Sequence, residues 1–354
     1  MTDTPGWASP DPNAPGGADQ PRAGQPQLGP PPSPQYYGQP PGWTPPPPPR
    51  YQAPPKPGVI PLHPLSLTDI LDGAITTLRR HPKLMLGMSA VVVTIIELLA
   101  FPLLSIMQRD LNRIEAGEVI TEDEAIALLS STLGSLAVTA VITVLATVFL
   151  SGFLTVVVGK AVLGQSAPFA EVWARLRPRL LPLLGLTSIF LLAAIVIVAP
   201  AVLIMVAVSP LLGFLLLLAA AGVLVWIFIL YSLATPALVL EHASVIDSLK
   251  RSKALVTDSW WRVFGVSLLA AVIAYILASI IGLPFSIAGG ALDLGGGELT
   301  TRYLVLTTIG AIIAGTITQP FTAAVTVLQY TDQRIRREGM DIELARQAGA
   351  GTAG

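Results

Sequence analysis

The stretch that decides the fold class covers residues 180–240 and reads LLPLLGLTSIFLLAAIVIVAPAVLIMVAVSPLLGFLLLLAAAGVLVWIFILYSLATPALVL. These 61 residues contain no charged side chain. One crossing of a bilayer needs about 20 apolar residues, so the stretch is too long for a single crossing. Ser209 and Pro210 interrupt it in the middle. The stretch therefore predicts two transmembrane helices joined by a tight turn.

The composition of the whole chain indicates the same class. Of its 354 residues, 52% are hydrophobic and 12% are charged, whereas a soluble domain carries about 25% charged residues. The chain has no cysteine, which excludes disulfides, thiolate catalysis and cysteine-ligated metal sites. Residues 1–58 lack the basic and apolar regions of a signal peptide, so we expect the first membrane helix to direct insertion.

Hydropathy predicts an all-α polytopic membrane protein with six transmembrane helices. The second helix is expected to begin before its apolar span, at a capping box formed by Thr121 and Glu124. The chain divides into a tail at 1–58, a membrane domain at 59–335 and a short cytoplasmic tail at 336–354. The predicted spans are about 84–107, 133–158, 180–208, 211–233, 263–288 and 303–328.

A short internal repeat arranges the six spans as three hairpins, each preceded by a cytoplasmic amphipathic helix. Ser66 and Asp69 form a predicted capping box at the start of the first such helix, and a glycine follows 18 residues after the aspartate. Ser244 and Asp247 repeat this arrangement with the same spacing to a glycine. A shorter apolar stripe over residues 169–176 precedes the third span. The alternative is that amphipathic linkers occur in any polytopic protein.

The basic residues predict the orientation. With a cytoplasmic N-terminus, the cytoplasmic segments near the spans hold 14 Lys or Arg residues and the opposite face holds three. Such an excess is typical of cytoplasmic loops. We therefore predict a multi-pass protein of the plasma (inner) membrane with both termini in the cytoplasm. The 14 residues are Arg79, Arg80, Lys83, Lys160, Arg175, Arg177, Arg179, Lys250, Arg251, Lys253, Arg262, Arg334, Arg336 and Arg337.

The N-terminal tail differs in composition from the rest of the chain. Residues 1–58 hold 20 of the 32 prolines and predict a disordered segment with a polyproline II run. Pro45, Pro48 and Arg50 fit a basic-flanked PxxP pattern, and Tyr51 completes a PPxY pattern. The tail is either a docking segment for cytoplasmic proteins or a solvated spacer.

Three residues within the spans are candidates for an intramembrane polar site. Glu97 is the ionisable residue that lies well inside a span, and such a residue is costly unless it is protonated or paired. Gln319 and Pro320 place a polar amide beside a freed carbonyl in the sixth span. They predict either a proton or cation site, or a structural contact between helices. The pattern indicates no catalytic residue, no cofactor and no metal site.

The expected partners follow from the same pattern. The lipid bilayer is one partner, cytoplasmic proteins could bind the tail, and nothing indicates a nucleic acid. Ala270, Ala274 and Ala278 form a small-residue ladder in the fifth span, and Ala311 with Gly315 forms one in the sixth. These faces predict close helix packing, either within one chain or in an oligomer.

Three short motifs carry a resemblance to a known family. They are residues 65–74 (LSLTDILDGA), residues 79–81 (RRH) and residues 259–265 (SWWRVFG). The chain resembles the membrane domain associated with some bacterial glycerophosphodiester phosphodiesterases, and more closely the actinobacterial integral membrane proteins related to it, over about residues 60–335. The resemblance implies a multi-span module without the hydrolase chemistry. We therefore expect a non-catalytic membrane scaffold or interaction module; the alternative is a transporter or lipid-handling protein.

Overall fold

The computed structural model describes residues 58–60, 63–115, 121–290 and 301–339. The predicted docking residues Pro45, Pro48, Arg50 and Tyr51 lie outside these residues, as does nearly all of the tail to which they belong. Within the described residues the secondary structure is helical and contains no strand. The all-α prediction is therefore confirmed for this part of the chain.

The described residues form ten α-helices. Four of these helices have a serine or threonine at the N-cap whose side chain caps the first turn. Ser66, Thr121, Ser209 and Ser244 each accept a hydrogen bond from a backbone N–H of the first helical turn. The predicted capping boxes at Ser66 and Thr121 are confirmed, since both reciprocal bonds are present. The helices are α1 (Leu67–Arg80), α2 (Pro82–Glu115), α3 (Glu122–Val162), α4 (Phe169–Leu176), α5 (Leu180–Ala207), α6 (Pro210–Tyr231), α7 (Ala234–Leu240), α8 (Val245–Val256), α9 (Trp260–Gly289) and α10 (Thr301–Glu338).

Six helical segments of the described chain are long and apolar enough to cross a membrane. They contain α2, α3, α5, α6, α9 and α10, which are the helices predicted from hydropathy. Helix α10 continues past the predicted end of the sixth span, to Glu338. This extension carries polar side chains that are buried by other helices, which explains why hydropathy does not reveal the continuation of the helix.

The buried core lies toward one end of the bundle. Helix α10 packs against α9, α2, α1 and α3, and most of its buried residues belong to its C-terminal half. The short helices α1, α4, α7 and α8 pack at this same end. We call it the basic end, because Lys160, Arg251, Arg262 and Arg334 lie there.

Helices α5 and α6 pack closely on each other and expose most of their apolar surface. Four of their apolar side chains are between 67% and 79% exposed: Val196, Leu203, Val206 and Leu211. Lipid can cover such a surface, since acyl chains are as apolar as leucine. The contact between the two helices therefore depends on close packing at particular positions.

One such position is Gly213, and it generates a prediction. A Cβ at Gly213 would overlap the backbone of Met205 on α5, whereas a Cβ at Gly222 on the same helix would meet nothing within 4 Å. We expect Gly213→Ala to lower the free energy of unfolding by about 1–3 kcal/mol, because the helices must separate. Gly222→Ala is the matched control and should unfold like the wild type. Thermal unfolding of both variants in detergent measures the difference, and equal melting temperatures would contradict the close approach.

Candidate functional site

A buried carboxylate organises the basic end. The side chain of Asp332 is 1% exposed, and it accepts hydrogen bonds from Arg262 Nη2 at 3.0 Å and Arg336 Nε at 2.9 Å. It also accepts the backbone N–H of Leu65 at 2.8 Å. A buried charge is stable only where it is paired and hydrogen-bonded. These three donors from α9, α10 and the segment before α1 meet that requirement.

The same two arginines hold the other backbone group of Leu65. Arg262 Nη2 donates to the Leu65 carbonyl at 2.6 Å, and Arg336 Nη2 donates to it at 2.8 Å. Both polar backbone atoms of one residue are thus engaged by side chains far away in the sequence. We call Leu65, Arg262, Asp332 and Arg336 the Leu65 anchor. It fixes the chain immediately before α1 to the last helix of the bundle.

The segment before the Leu65 anchor is also packed against the bundle. Gly58, Val59 and Ile60 are buried, and Arg80 Nη1 donates to the Gly58 carbonyl at 3.3 Å. A Cβ at Gly58 would overlap the carbonyl oxygens that end α3, so the backbone there lies directly on α3. The side chain of Ile60 packs at Gly73 of α1, where Leu328 of α10 also lies.

A second charged network lies beside the anchor and is centred on Glu241. Arg251 donates to both carboxylate oxygens of Glu241, at 3.0 Å from Nε and 3.1 Å from Nη2. Tyr330 donates its hydroxyl to Glu241, and Arg334 Nε lies 3.4 Å from the same carboxylate. Arg251 and Arg334 also pair with Glu338, at 2.6 and 3.0 Å. The network joins α8 and α10 to the end of α7.

The surroundings of Glu241 act on its pKa in opposite directions. Burial raises the pKa of Glu241, because it disfavours the charged carboxylate. Hydrogen bonds from Arg251 and Tyr330, and the positive charges of Arg251 and Arg334, lower it. The net effect is a pKa below the ordinary value of 4.5, so the network holds Glu241 ionised.

Helices α9 and α10 are joined by a polar seam as well as by apolar contacts. Gln329 Nε2 donates to the Val263 carbonyl at 2.9 Å, and Ser267 donates to Gln329 Oε1 at 3.2 Å. One turn further, Ser259 donates to Gln333 Oε1 at 2.7 Å. The seam sets the register of the two helices and thereby brings Arg262 to Asp332.

The candidate intramembrane residues do not form one site. Glu97 is partly buried and has no hydrogen-bond or ion-pair partner among the described residues. Val93, one turn before it, packs against Gly315 of α10. Gln319 lies one turn from Gly315 in the opposite direction along the bundle. Each turn of four residues covers about 6 Å at 1.5 Å per residue, so Glu97 and Gln319 are about 12 Å apart along the bundle axis. The side chain of Gln319 is exposed and Pro320 is buried.

The small residues of the fifth and sixth spans are partly used inside the chain. Ala270 is buried in the core, Ala274 packs against that core, and Gly315 contacts Val93. Ala311 is exposed. The close packing that the small-residue ladders predict is therefore present between helices of one chain.

Sequence patterns placed four arginines of the two networks among the basic residues that set the orientation, but they did not predict the networks themselves. Asp332 and Arg336 carry one local signal, since their spacing of four places an acid and a base on the same face of a helix. Glu241 follows directly on the uncharged stretch, where an isolated carboxylate is notable. The contribution of Leu65 through its backbone has no sequence signal. No group of three or more potential metal ligands occurs within the described residues.

The fold and this site define a multi-pass helical membrane domain whose two ends in sequence are joined by a buried ionic anchor. The chain belongs to the family described as domain of unknown function, DUF7847, whose match covers residues 65–333. That match includes Leu65 and Asp332, the two residues that the anchor joins. No curated protein and no solved structure matches the chain. The resemblance to the phosphodiesterase-associated membrane domain stays a prediction.

The Leu65 anchor generates a prediction about stability. Asp332→Asn leaves Arg262 and Arg336 without a compensating charge. We expect the free energy of unfolding to fall by about 3 kcal/mol. This is the lower limit for buried pairs, and we choose it because both arginines are partly exposed. Asp258→Asn is the control, since Asp258 is 79% exposed and pairs with Arg337 at the same 3.0 Å. A surface pair contributes at most about 1 kcal/mol.

Hydrogen exchange gives a local measurement for the same pair of variants. The Leu65 amide donates to Asp332, so it should exchange faster in Asp332→Asn and at the wild-type rate in Asp258→Asn. Equal stability and equal Leu65 exchange in the two variants would show that the anchor does not hold the segment.

The Glu241 network generates a prediction about pH. A carboxylate whose pKa is lowered on folding stabilises the folded state above its unfolded pKa, and this contribution is lost as the pH falls through the folded pKa. We expect part of the stability to be lost as the pH falls below about 4.5, the ordinary value for Glu241. Glu241→Gln should unfold more easily at pH 7 and show a smaller loss in acid.

Melting curves recorded between neutral pH and acid distinguish this effect from a general one. Asp72→Asn is the control, because Asp72 is an exposed carboxylate on α1. Its acid-induced loss should match that of the wild type. An unchanged loss in Glu241→Gln would contradict the role of the network.

Proposed function

We propose that this protein is a non-catalytic integral membrane scaffold that presents its proline-rich N-terminal segment to cytoplasmic proteins. The observation that carries the proposal is the Leu65 anchor. Leu65 is held by both of its backbone polar groups, and Gly58 to Ile60 are packed on the bundle just before it. A free linker between a spacer and a membrane domain needs no such fixation. Fixation is useful where the preceding segment must be displayed at a defined place.

The proposal includes a topology. We place both termini in the cytoplasm and the protein in the plasma membrane, on the support of the 14 basic residues near one set of helix ends against three near the other. We also interpret the pairs α2 with α3, α5 with α6 and α9 with α10 as three hairpins, since the members of each pair pack together. The amphipathic helices α1, α4 and α8 precede them in sequence.

The charged side chains of the basic end support a structural rather than a catalytic role. Asp332 accepts three donors, and Glu241 and Glu338 each pair with two arginines. A general acid or base must be able to exchange its proton with a substrate. These carboxylates are instead engaged in fixing helices. The resemblance to the phosphodiesterase-associated membrane domain supports the same reading, since it implies a module without hydrolase chemistry.

A second candidate function, transport or lipid handling, is favoured by one observation. Glu97 is a carboxyl group within a span, and no described residue pairs with it. Such a group is a candidate for a functional site. Gln319 adds no support, because its side chain is exposed and lies about two turns away along the bundle axis.

In-cell crosslinking tests the scaffold function. The full chain is compared with a variant in which residues 2–52 are replaced by a Gly/Ser segment of equal length. The replacement keeps the membrane domain and the length of the tail but removes the proline-rich motifs. We expect crosslinked cytoplasmic proteins to decrease at least tenfold, while the amount of protein in the membrane stays the same.

A narrower variant tests the motif itself. Replacing Pro48, Arg50 and Tyr51 by alanine removes both docking patterns and leaves the other prolines in place. The same partners should be lost as with the Gly/Ser tail. A partner set that is unchanged by the full replacement would overturn the docking function.

A further inference from the structure

A cavity of about 200 Å³ lies at the basic end, between the last turns of α3, the end of α7 and the C-terminal part of α10. Part of its lining is apolar and comes from α3 and α7, including Val156, Val162, Val239 and Leu240. The lining also contains polar and charged residues. The cavity thus combines the apolar and polar groups that a ligand with a charged head and a carbon portion requires.

Three of the residues that line the cavity are cationic, and none is a carboxylate. They are Lys160 of α3, Arg175 of α4 and Arg334 of α10. Lys160 is only 3% exposed; its Nζ donates to the Ser166 carbonyl at 3.1 Å and pairs with Glu171. Arg175 is 51% exposed and pairs with the same Glu171 at 3.1 Å. The cations therefore come from three different helices and converge on one space.

The surrounding carboxylates do not fully neutralise these cations. Glu171 is shared by Lys160 and Arg175, and Glu241 and Glu338 are each shared by Arg251 and Arg334. Four cations thus face three carboxylates. The last carbonyls of α3 add a weak negative field, but those of Lys160 and Ala161 already accept backbone N–H groups.

A further cation adds to the excess beside the cavity. Arg179 Nη1 donates at 3.2 Å to the carbonyl of His242, a residue that lines the cavity. The Arg179 Nε is buried and has no hydrogen-bond partner among the described residues. His242 itself has a left-handed backbone with φ 57°, an uncommon conformation for a residue with a side chain. Arg179 does not itself line the cavity, so it is connected to the cavity through its hydrogen bond to His242.

We propose that this cavity is a binding site for a phosphate group, supplied either by the headgroup of an anionic phospholipid or by a free phosphate ester. Lysine and arginine are the side chains that recognise phosphate, and a phosphate has enough acceptor oxygens to contact cations from three directions. Thr331 also lines the cavity, and its hydroxyl donates to the Val327 carbonyl at 3.0 Å. The apolar lining residues accommodate the carbon atoms that are esterified to the phosphate.

The level of the cavity in the bundle supports a lipid source. Trp173 lies on α4 two residues before Arg175, is 37% exposed and has its ring 6.0 Å from that of Phe149. Exposed tryptophan is enriched at the headgroup level of membrane proteins. The cationic side of the cavity is thus expected at the depth where lipid phosphates lie. The proposal does not depend on the docking role of the tail, and either can fail without the other.

The test uses the purified full chain and two arginine variants that remove the same charge. Arg175→Gln removes a cation that lines the cavity, and Arg177→Gln removes an exposed cation two residues away that does not line it. In the first arm, inorganic phosphate is titrated into protein in neutral detergent, against chloride at matched ionic strength, and the melting temperature gives the affinity. In the second arm, binding is measured in nanodiscs of phosphatidylcholine alone and of phosphatidylcholine mixed with phosphatidylglycerol, by native mass spectrometry of retained lipid.

We expect the wild type and Arg177→Gln to bind alike and Arg175→Gln to bind about tenfold more weakly, as the loss of one charged hydrogen bond implies. Arg334→Gln is a second variant and should weaken binding similarly, after correction for its own melting temperature without phosphate. A response in the first arm identifies free phosphate as a ligand, and selective retention of phosphatidylglycerol identifies a lipid headgroup. If neither arm separates Arg175→Gln from Arg177→Gln, the proposal is overturned.

Discussion

The constraint on which the structure depends is the burial of one charge, that of Asp332. A carboxylate that is 1% exposed must find donors within the protein, and here it finds two arginines and the amide of Leu65. The bond to Leu65 crosses 267 positions of the sequence, so it joins the start of the membrane domain to its end. The arrangement of α1, α9 and α10 follows from this requirement, since each contributes to or adjoins one of the donors.

The bilayer explains why such polar contacts are concentrated at one end. Between helices in lipid there is little hydrophobic driving force, because acyl chains solvate apolar side chains as well as another helix does. The apolar parts of α5 and α6 therefore remain exposed to lipid and are held by close contacts such as that at Gly213. Charged and amide groups can fix helices at lower cost near the membrane surface. The α9–α10 seam and the Glu241 network lie at the basic end, which the proposed topology places at the cytoplasmic surface of the membrane.

Local and compositional features were predictable from the sequence, whereas contacts between distant residues were not. The helix starts at Ser66 and Thr121 depend on neighbours three residues away, so the pattern of side chains is enough to predict them. The six apolar helices follow from hydropathy. The Leu65 anchor depends on the register of α9 against α10 and on a backbone carbonyl. Neither of these produces a recognisable pattern of residues in the sequence. The separation of Glu97 from Gln319 depends on the same kind of interhelical register.

The anchor and the proposed phosphate site share one turn of α10, and this has a consequence for how they act together. Tyr330, Thr331 and Arg334 line the cavity, while Asp332 on the same turn holds Leu65. A phosphate that attracts Arg334 competes with Glu241, which retains Arg251 and Tyr330 as partners. If ligand binding shifts this turn, linkage requires that fixing Leu65 changes ligand affinity by the same factor. One helical turn would then couple the Leu65 segment, which follows the proline-rich tail, to the phosphate site. A protein bound to the tail and a phosphate bound in the cavity would influence each other without touching.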